Sequence, residues 1–214
     1  IKIDFRSFIH VEGISAQEFR SQKVDISAHS AVILTSKTAV DHYFRIAEEM
    51  RFEVPDSMKY FCISETIAYY LQKYVPYRKR KMFFGRQTIV DLIDTLKKHK
   101  KEKFLLPCTD ILRDKIPATL DTNGINYSKA ILYRTVASDL SDLENVMYDM
   151  LVFYSPGGIE SLLKNFPNFK QNETVIAAFG PTTANAIVKN KLRLDLHAPQ
   201  PNAPSMTGAI ENFV

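Results

Sequence analysis

The chain lacks any apolar run near the roughly 20 residues of a membrane-spanning helix, and no charged-apolar-small signal pattern opens it. Those absences exclude a helical span, so no membrane partner is expected and the location is read as cytoplasmic. Cysteine is scarce: Cys62 and Cys108 each fall inside an apolar strand-like run, which points to buried reduced thiols and not to a disulfide or a nucleophile. Neither a CxxC nor an HxxxH spacing occurs, and the five histidines (His10, His29, His42, His99, His197) are scattered. No metal and no other cofactor is expected. GxGxxG and GxxxxGK[ST] are missing as well, which argues against a nucleotide-phosphate site.

What is present is ordinary globular composition, 45% hydrophobic and 24% charged over 214 residues, room for one large domain or two small ones. The net charge of +4 is unevenly spread, with Arg78 to Lys81, Arg86, Lys97, Lys98, Lys100, Lys101 and Lys103 crowding one segment. These cations fall at a strand entry and at a helix C-terminus, where they complement the dipole and solvate the surface. Without aromatic interleaving of the RNA-binding kind, no nucleic-acid partner is expected.

Strands and helices alternate along the chain. Val32–Thr35, Lys59–Ile63, Lys81–Phe84 and Phe104–Pro107 read as strands, followed by helices at Lys37–Met50, Glu65–Tyr74, Gln87–His99 and about Asp110–Asn123. A second series has strands at Met150–Tyr154, Thr174–Phe179 and Arg193–Leu196, with helices at Gly158–Phe166, Pro181–Asn190 and from about Ser205. Repeated βα units predict parallel sheets with helices on both faces. The series also match each other: "VILTSKTAVDHYF" corresponds to "LVFYSPGGIESLL", and "FCISETIAYYLQKY" to "AAFGPTTANAIVKN". Two similar flavodoxin-like α/β domains are therefore expected. The extended segments "IKIDFRSFIHVE" and "NYSKAILYRTVA" belong to neither series and would pair antiparallel as a two-stranded tether. The expected division is tether 1–12, first domain 13–125, tether 126–137 and second domain 138–214. A lone ribbon is marginally stable, so a hinge and a cleft would follow.

The stretch "IAAFGPTTANAI" carries the most chemistry. An apolar strand ends on Gly180, which permits a tight turn, and Pro181 suits the first helical position. Thr182 and Thr183 then occupy a first helical turn, where free N–H groups and the dipole's positive end favour anions. A capping role for the two threonines stays open beside that reading.

These residues resemble the uroporphyrinogen-III synthase family. The resemblance rests on "FGPTTANAI" with "LRLDLHAPQPNAPSMTGAI", "VFYSPGGIESL", "VILTSKTAVDHYF", "LLPCTDILRDKIPATLDTNGI" and "AILYRTVA", in family order over essentially the whole chain, closest to Bacteroidetes members. Two departures stand out. Family members open with a strand–helix unit that this chain, beginning in the tether strand, does not show, so the second domain is expected to lack its N-terminal βα unit; and Glu65 sits where a Gly-x-x-Thr turn is common.

The resemblance implies cyclisation of hydroxymethylbilane, a linear tetrapyrrole with carboxylate side chains, with loss of water and inversion of the last ring. It implies a carbon–oxygen lyase in heme biosynthesis, a monomer with transient contact to the preceding pathway enzyme. Because the azafulvene formed on hydroxyl loss is itself electrophilic, no strong nucleophile is required. Tyr133 matches the family's tether tyrosine and would be the proton donor. Substrate carboxylates would meet the turns at Ser36, at Ser64 and Thr66, at Ser155, Gly157 and Gly158, and at Thr182 and Thr183. A non-catalytic two-lobed binder of a tetrapyrrole or small anion is the alternative.

Overall fold

The computed structural model describes residues 2–111 and 115–214. The chain divides into a central unit, Val11–Thr135, and a terminal unit made of Ile1–His10 with Val136–Val214.

In the central unit, β2 (Ala31–Leu34) is buried at all four residues, the continuous apolar run of an inner parallel strand. Its side chains alternate between two layers. Val32 and Leu34 face α1 (Ala16–Ser21), α2 (Lys37–Glu49) and α3 (Glu65–Leu71), while Ala31 and Ile33 face α4 (Ile93–Lys98) and α5 (Lys115–Thr122). The neighbours β3 (Lys59–Cys62) and β5 (Phe104–Thr109) split in the same way, Tyr60, Cys62 and Leu105 to the first layer, Phe61, Phe104 and Leu106 to the second. With β1 (Ile9–Gly13), β4 (Met82–Phe84) and β6 (Tyr127–Ala137), the sheet runs β1-β6-β5-β2-β3-β4. Its parallel strands, counted from β2, lie in the order 3-2-1-4-5, so the direction of winding reverses between β2 and β5. Flavodoxin's order is 2-1-3-4-5; the switch-point rule is common to both.

The segment 126–137, expected as one strand of an antiparallel tether, is the strand β6, and it also pairs in parallel with β5 from Phe104↔Tyr127 to Thr109↔Tyr133. It therefore belongs to the first βα series. Its alternation of side chains reads like a half-solvated ribbon, yet Ala130, Leu132 and Tyr133 pack into the core under α2. On its other side β6 meets β1: Ile14 N–H bonds Leu132 C=O at 3.1 Å and Ser138 N–H bonds Phe8 C=O at 2.9 Å, one index rising as the other falls, which is antiparallel. Both crossings between the units lie in these two strands.

The terminal unit holds a parallel sheet in chain order, β7 (Met150–Phe153), β8 (Val175–Phe179) and β9 (Leu196–Ala198). Helices α6 (Pro156–Asn165) and α7 (Pro181–Lys189) cover one face through Ile159, Leu162, Ala184 and Ile187, and α8 (Met206–Phe213) covers the other through Met206 and Ala209. The buried Ser161 gives its hydroxyl to Phe8 C=O, and Asn165 donates to Ser138 C=O, which fastens α6 to the two extended segments.

Several boundaries differ from expectation, and three bear on the argument. The strand expected at Arg193–Leu196 is Leu196–Ala198, because Arg193 and Asp195 are held by side chains: Arg193 pairs with Asp195, whose other oxygen accepts Ile176 N–H and Gln171 Nε2. The helix expected at Gln87–His99 begins as a 3-10 turn, Ile89–Leu92, where the Asp91 carboxylate gathers the N–H groups of Gln87 and Thr88. Of the helix expected at Asp110–Asn123, residues 112–114 lie outside the described residues, and α5 ends before Gly124, whose φ is +66°. Helix α1, capped by Ser15 on Glu18 N–H, was not expected.

Candidate active site

Sheets that reverse winding direction open a crevice outside the carboxyl ends of the strands at the reversal. In the central unit that place is the ends of β2 and β5. Ser36, just past β2, caps α2 by accepting Ala39 N–H at 3.0 Å. Beside β5, the register slips. Cys108 pairs with Ile131, but Thr109 pairs with Tyr133, so Leu132 is the extra residue of a β-bulge, a device that re-aims side chains.

After the bulge, Tyr133 lies beneath α2, 9% exposed, its ring stacked on His42 with centroids 5.1 Å apart and planes 21° off parallel. Burial pushes its phenol above the ordinary tyrosine range, with Ser36 nearby pulling the other way.

The remaining candidates fall into separate turns. Ser64 caps α3 through Ile67 N–H at 3.4 Å, with Glu65 and Thr66 exposed in the first turn beyond β3. In the terminal unit the paired strands β7 and β8 bring two helix N-termini side by side. Ser155 stands at the N-cap of α6 without a side-chain cap bond. Gly157 is half-buried beside Ile9, whereas Gly158 is buried, gives its N–H to Ser155 C=O, and would press a Cβ to 3.1 Å from the Phe153 ring. Gly158 thereby serves helix–strand packing.

At α7, Gly180 adopts φ +84° and Pro181 follows at the first helical position. The first intrahelical bond is Ala184 N–H to Gly180 C=O at 3.1 Å, so the N–H groups of Thr182 and Thr183 precede the ladder. Neither threonine caps the helix. The capping alternative is overturned, since the N-cap is glycine and the threonines follow it. Thr182 is exposed; Thr183 is 1% exposed and its hydroxyl oxygen has no partner. The Nε2 of His197, on β9, is likewise buried and unpaired.

Sequence reasoning passed over His42, Arg45 and the aromatic pair Tyr154–Phe179, whose rings lie 5.7 Å apart at the carboxyl ends of β7 and β8. Only the spacing of His42 and Arg45 on the helix that starts at Ser36 could have pointed to the first two. Lys37 Nζ lies 5.3 Å over the Tyr70 ring. Tyr70 and Tyr74 both donate to Asp41, tying α3 to α2. A cavity of about 460 Å³ lined by Asp41, Phe44, Arg45, Phe52, Val54 and Val75 contains none of the residues put forward from the sequence.

Other chemistries find little here. Among the described residues no group of three or more His, Cys, Asp or Glu could hold a metal ion, and no helix is long and apolar enough to cross a membrane. Burial raises the thiols of Cys62 and Cys108 to about 12 and about 11, so neither is a thiolate at neutral pH.

The fold and these turns define a doubly wound α/β protein whose polar groups gather at the carboxyl edges of parallel sheets. A family model described as "Uroporphyrinogen-III synthase HemD" matches residues 3–208, and the chain belongs to that family. A Saccharomyces cerevisiae protein named uroporphyrinogen-III synthase is 26% identical over 139 residues, 58% of this chain and 50% of that protein, so the match spans half the length of the yeast relative. The crystal structure of uroporphyrinogen-III synthetase from Helicobacter pylori superposes with a TM-score of 0.62 at 18% identity, covering 96% of this chain and 89% of that one. A mutant uroporphyrinogen III synthase from Thermus thermophilus gives 0.52 at 13% identity, covering 96% and 86%. Both likenesses support the two-sheet fold.

Proposed function

We propose that the protein cyclises hydroxymethylbilane to uroporphyrinogen III, releasing water and inverting the last ring, as a carbon–oxygen lyase. The observation that carries the chemistry is the Tyr133 phenol, placed beyond the bulge at the switch point, beneath α2 and with its ring stacked on His42.

In this reading Tyr133 passes its proton to the terminal hydroxyl of the bilane as the C–O bond breaks. Water departs with the bonding electrons, and the pyrrole nitrogen's lone pair stabilises the cationic carbon left behind. The carbon of the last ring already bonded to its methylene bridge forms the first new C–C bond, the old bond to that bridge breaks and re-forms at the ring's free carbon, which inverts the ring, and the proton lost from that carbon restores the phenol. General-acid assistance is worth roughly 10² to 10⁴. The substrate's carboxylates suit the N–H groups of Thr182, Thr183, Ser155 and Gly157, and the turns at Ser36 and at Ser64 and Thr66.

Tyr133→Phe keeps the stacked ring and removes the hydroxyl. Turnover of freshly prepared hydroxymethylbilane by this variant should fall by roughly 10² or more, with the enzymatic product still the type III isomer. A near-normal rate would assign the proton to another group.

A further inference from the structure

The bulge that aims Tyr133 is not held by the sheet alone. A bulged residue is left without a full ladder partner, and a buried carbonyl needs one. Leu132 C=O accepts Ile14 N–H at 3.1 Å and a second bond from Arg45 Nη2 at 3.2 Å. The same Nη2 donates to Ile14 C=O at 2.8 Å, so one guanidinium joins both strands at the bulge. Its Nε–H goes to His42 Nδ1 at 3.0 Å, and its Nη1 pairs with Glu49. Every edge of the planar fork is used, which no lysine could reproduce.

Gly13 admits this arrangement. A Cβ there would fall 2.8 Å from Arg45 Cζ and 2.9 Å from Nε and Nη2, so the guanidinium lies flat on a backbone position without a side chain. Arg45 in turn decides the state of His42. With Nδ1 accepting, the neutral ring carries its proton on Nε2. Burial, then the Arg45 charge, hold His42 below the ordinary histidine range against the opposing pull of Asp41 and Glu49. A neutral, fixed imidazole is the plane on which Tyr133 stacks.

We propose that His42 and Arg45 are positioning residues for the Tyr133 hydroxyl, Arg45 by fixing the bulge and the imidazole, His42 by setting the plane of the phenol. This rests on the reading of Tyr133 as the proton donor. A displacement of about 1 Å in a reacting group can cost 10² in rate, which is the scale on which such a brace acts.

The test compares Arg45→Met, Arg45→Lys, His42→Ala, His42→Phe and Gly13→Ala in the full chain. With hydroxymethylbilane as substrate, Arg45→Met, His42→Ala and Gly13→Ala should lower kcat about 10- to 100-fold while KM stays within about twofold. His42→Phe, which keeps a stacking ring, should recover most of the loss, and Arg45→Lys should not. Placed in a Tyr133→Phe background, His42→Ala and Arg45→Met should change kcat less than about twofold, because the group they position is gone. Tyrosine labelled with ¹³C at Cζ gives a readout free of turnover: the Tyr133 resonance should shift in Arg45→Met and His42→Ala. A slow Tyr133→Phe beside His42→Ala and Arg45→Met variants of normal kcat and unmoved resonance would overturn the brace and leave the donor standing. A normal Tyr133→Phe would sink the donor reading itself. Should Arg45→Met not fold, Gly13→Ala and His42→Ala decide the matter by the same two readouts.

Discussion

Thr183, 1% exposed in the first turn of α7, carries a hydroxyl that its own fold leaves unbonded. An unsatisfied buried donor lowers stability, so Thr183→Val, close in shape, should leave unfolding in urea unchanged or raise stability by about 1 kcal/mol. If the turn serves substrate carboxylates, the same variant combined with Thr182→Ala should weaken binding of uroporphyrinogen III several-fold by calorimetry. Lost stability together with unchanged affinity would make the threonines structural. The turn itself was legible in "FGPTT", because glycine and proline have so few conformations. That one hydroxyl faces inward was not, since neighbouring first-turn positions differ in burial only once the helix lies on its sheet. Tyr133 is the other residue with a pH consequence. Burial holds its phenol above the ordinary range, so the proton it would donate is present across neutral pH. Turnover should therefore show no alkaline loss traceable to Tyr133 below about pH 10, and an alkaline limb near pH 8 that vanishes in Tyr133→Phe would contradict this.

Between elements, one carboxylate joins the amino-edge entries of three parallel strands. Glu102 accepts from Lys59 Nζ at 2.6 Å and from Ser30 Oγ at 2.5 Å, while Ser30 Oγ accepts Lys103 N–H, linking the entries of β3, β2 and β5. Burial would raise this carboxyl, but the bonds from Lys59 and Ser30 outweigh it, and the net shift is downward. A carboxyl lowered on folding adds stability that is complete above its unfolded pKa, about 4.3, and is lost as pH falls through the folded value. Urea unfolding of wild type and Glu102→Gln should accordingly differ by about 1 kcal/mol near pH 7 and converge toward pH 3. Parallel curves over that range would remove Glu102 from the clamp. The strands it aligns were readable as short apolar runs, and their parallel order as alternation with helices. The bulge at Leu132 was not readable, because it depends on Arg45 from another element, and the parallel pairing of β6 with β5, beside its antiparallel pairing with β1, was missed because alternation marks a half-buried strand wherever it lies.

At the scale of the whole chain, the internal match between "VILTSKTAVDHYF" and "LVFYSPGGIESLL" corresponds to β2–α2 in the central unit and β7–α6 in the terminal unit, each a parallel strand feeding a helix whose N-cap is serine. The halves of the repeat then diverge in chemistry. The central unit carries the Tyr133 phenol at its switch point, and the terminal unit carries two adjacent helix N-termini without side-chain caps. The family was legible from motifs spread along the sequence, and the match over residues 3–208 agrees with it. The division into units was harder to read, for its boundaries fall inside β1 and β6 where composition does not change. Activity is tested most directly by supplying freshly made hydroxymethylbilane to the purified protein, oxidising the products and separating the ring isomers. The proposal predicts the type III isomer in excess, formed faster than spontaneous closure; type I alone, at the rate seen without protein, would contradict it.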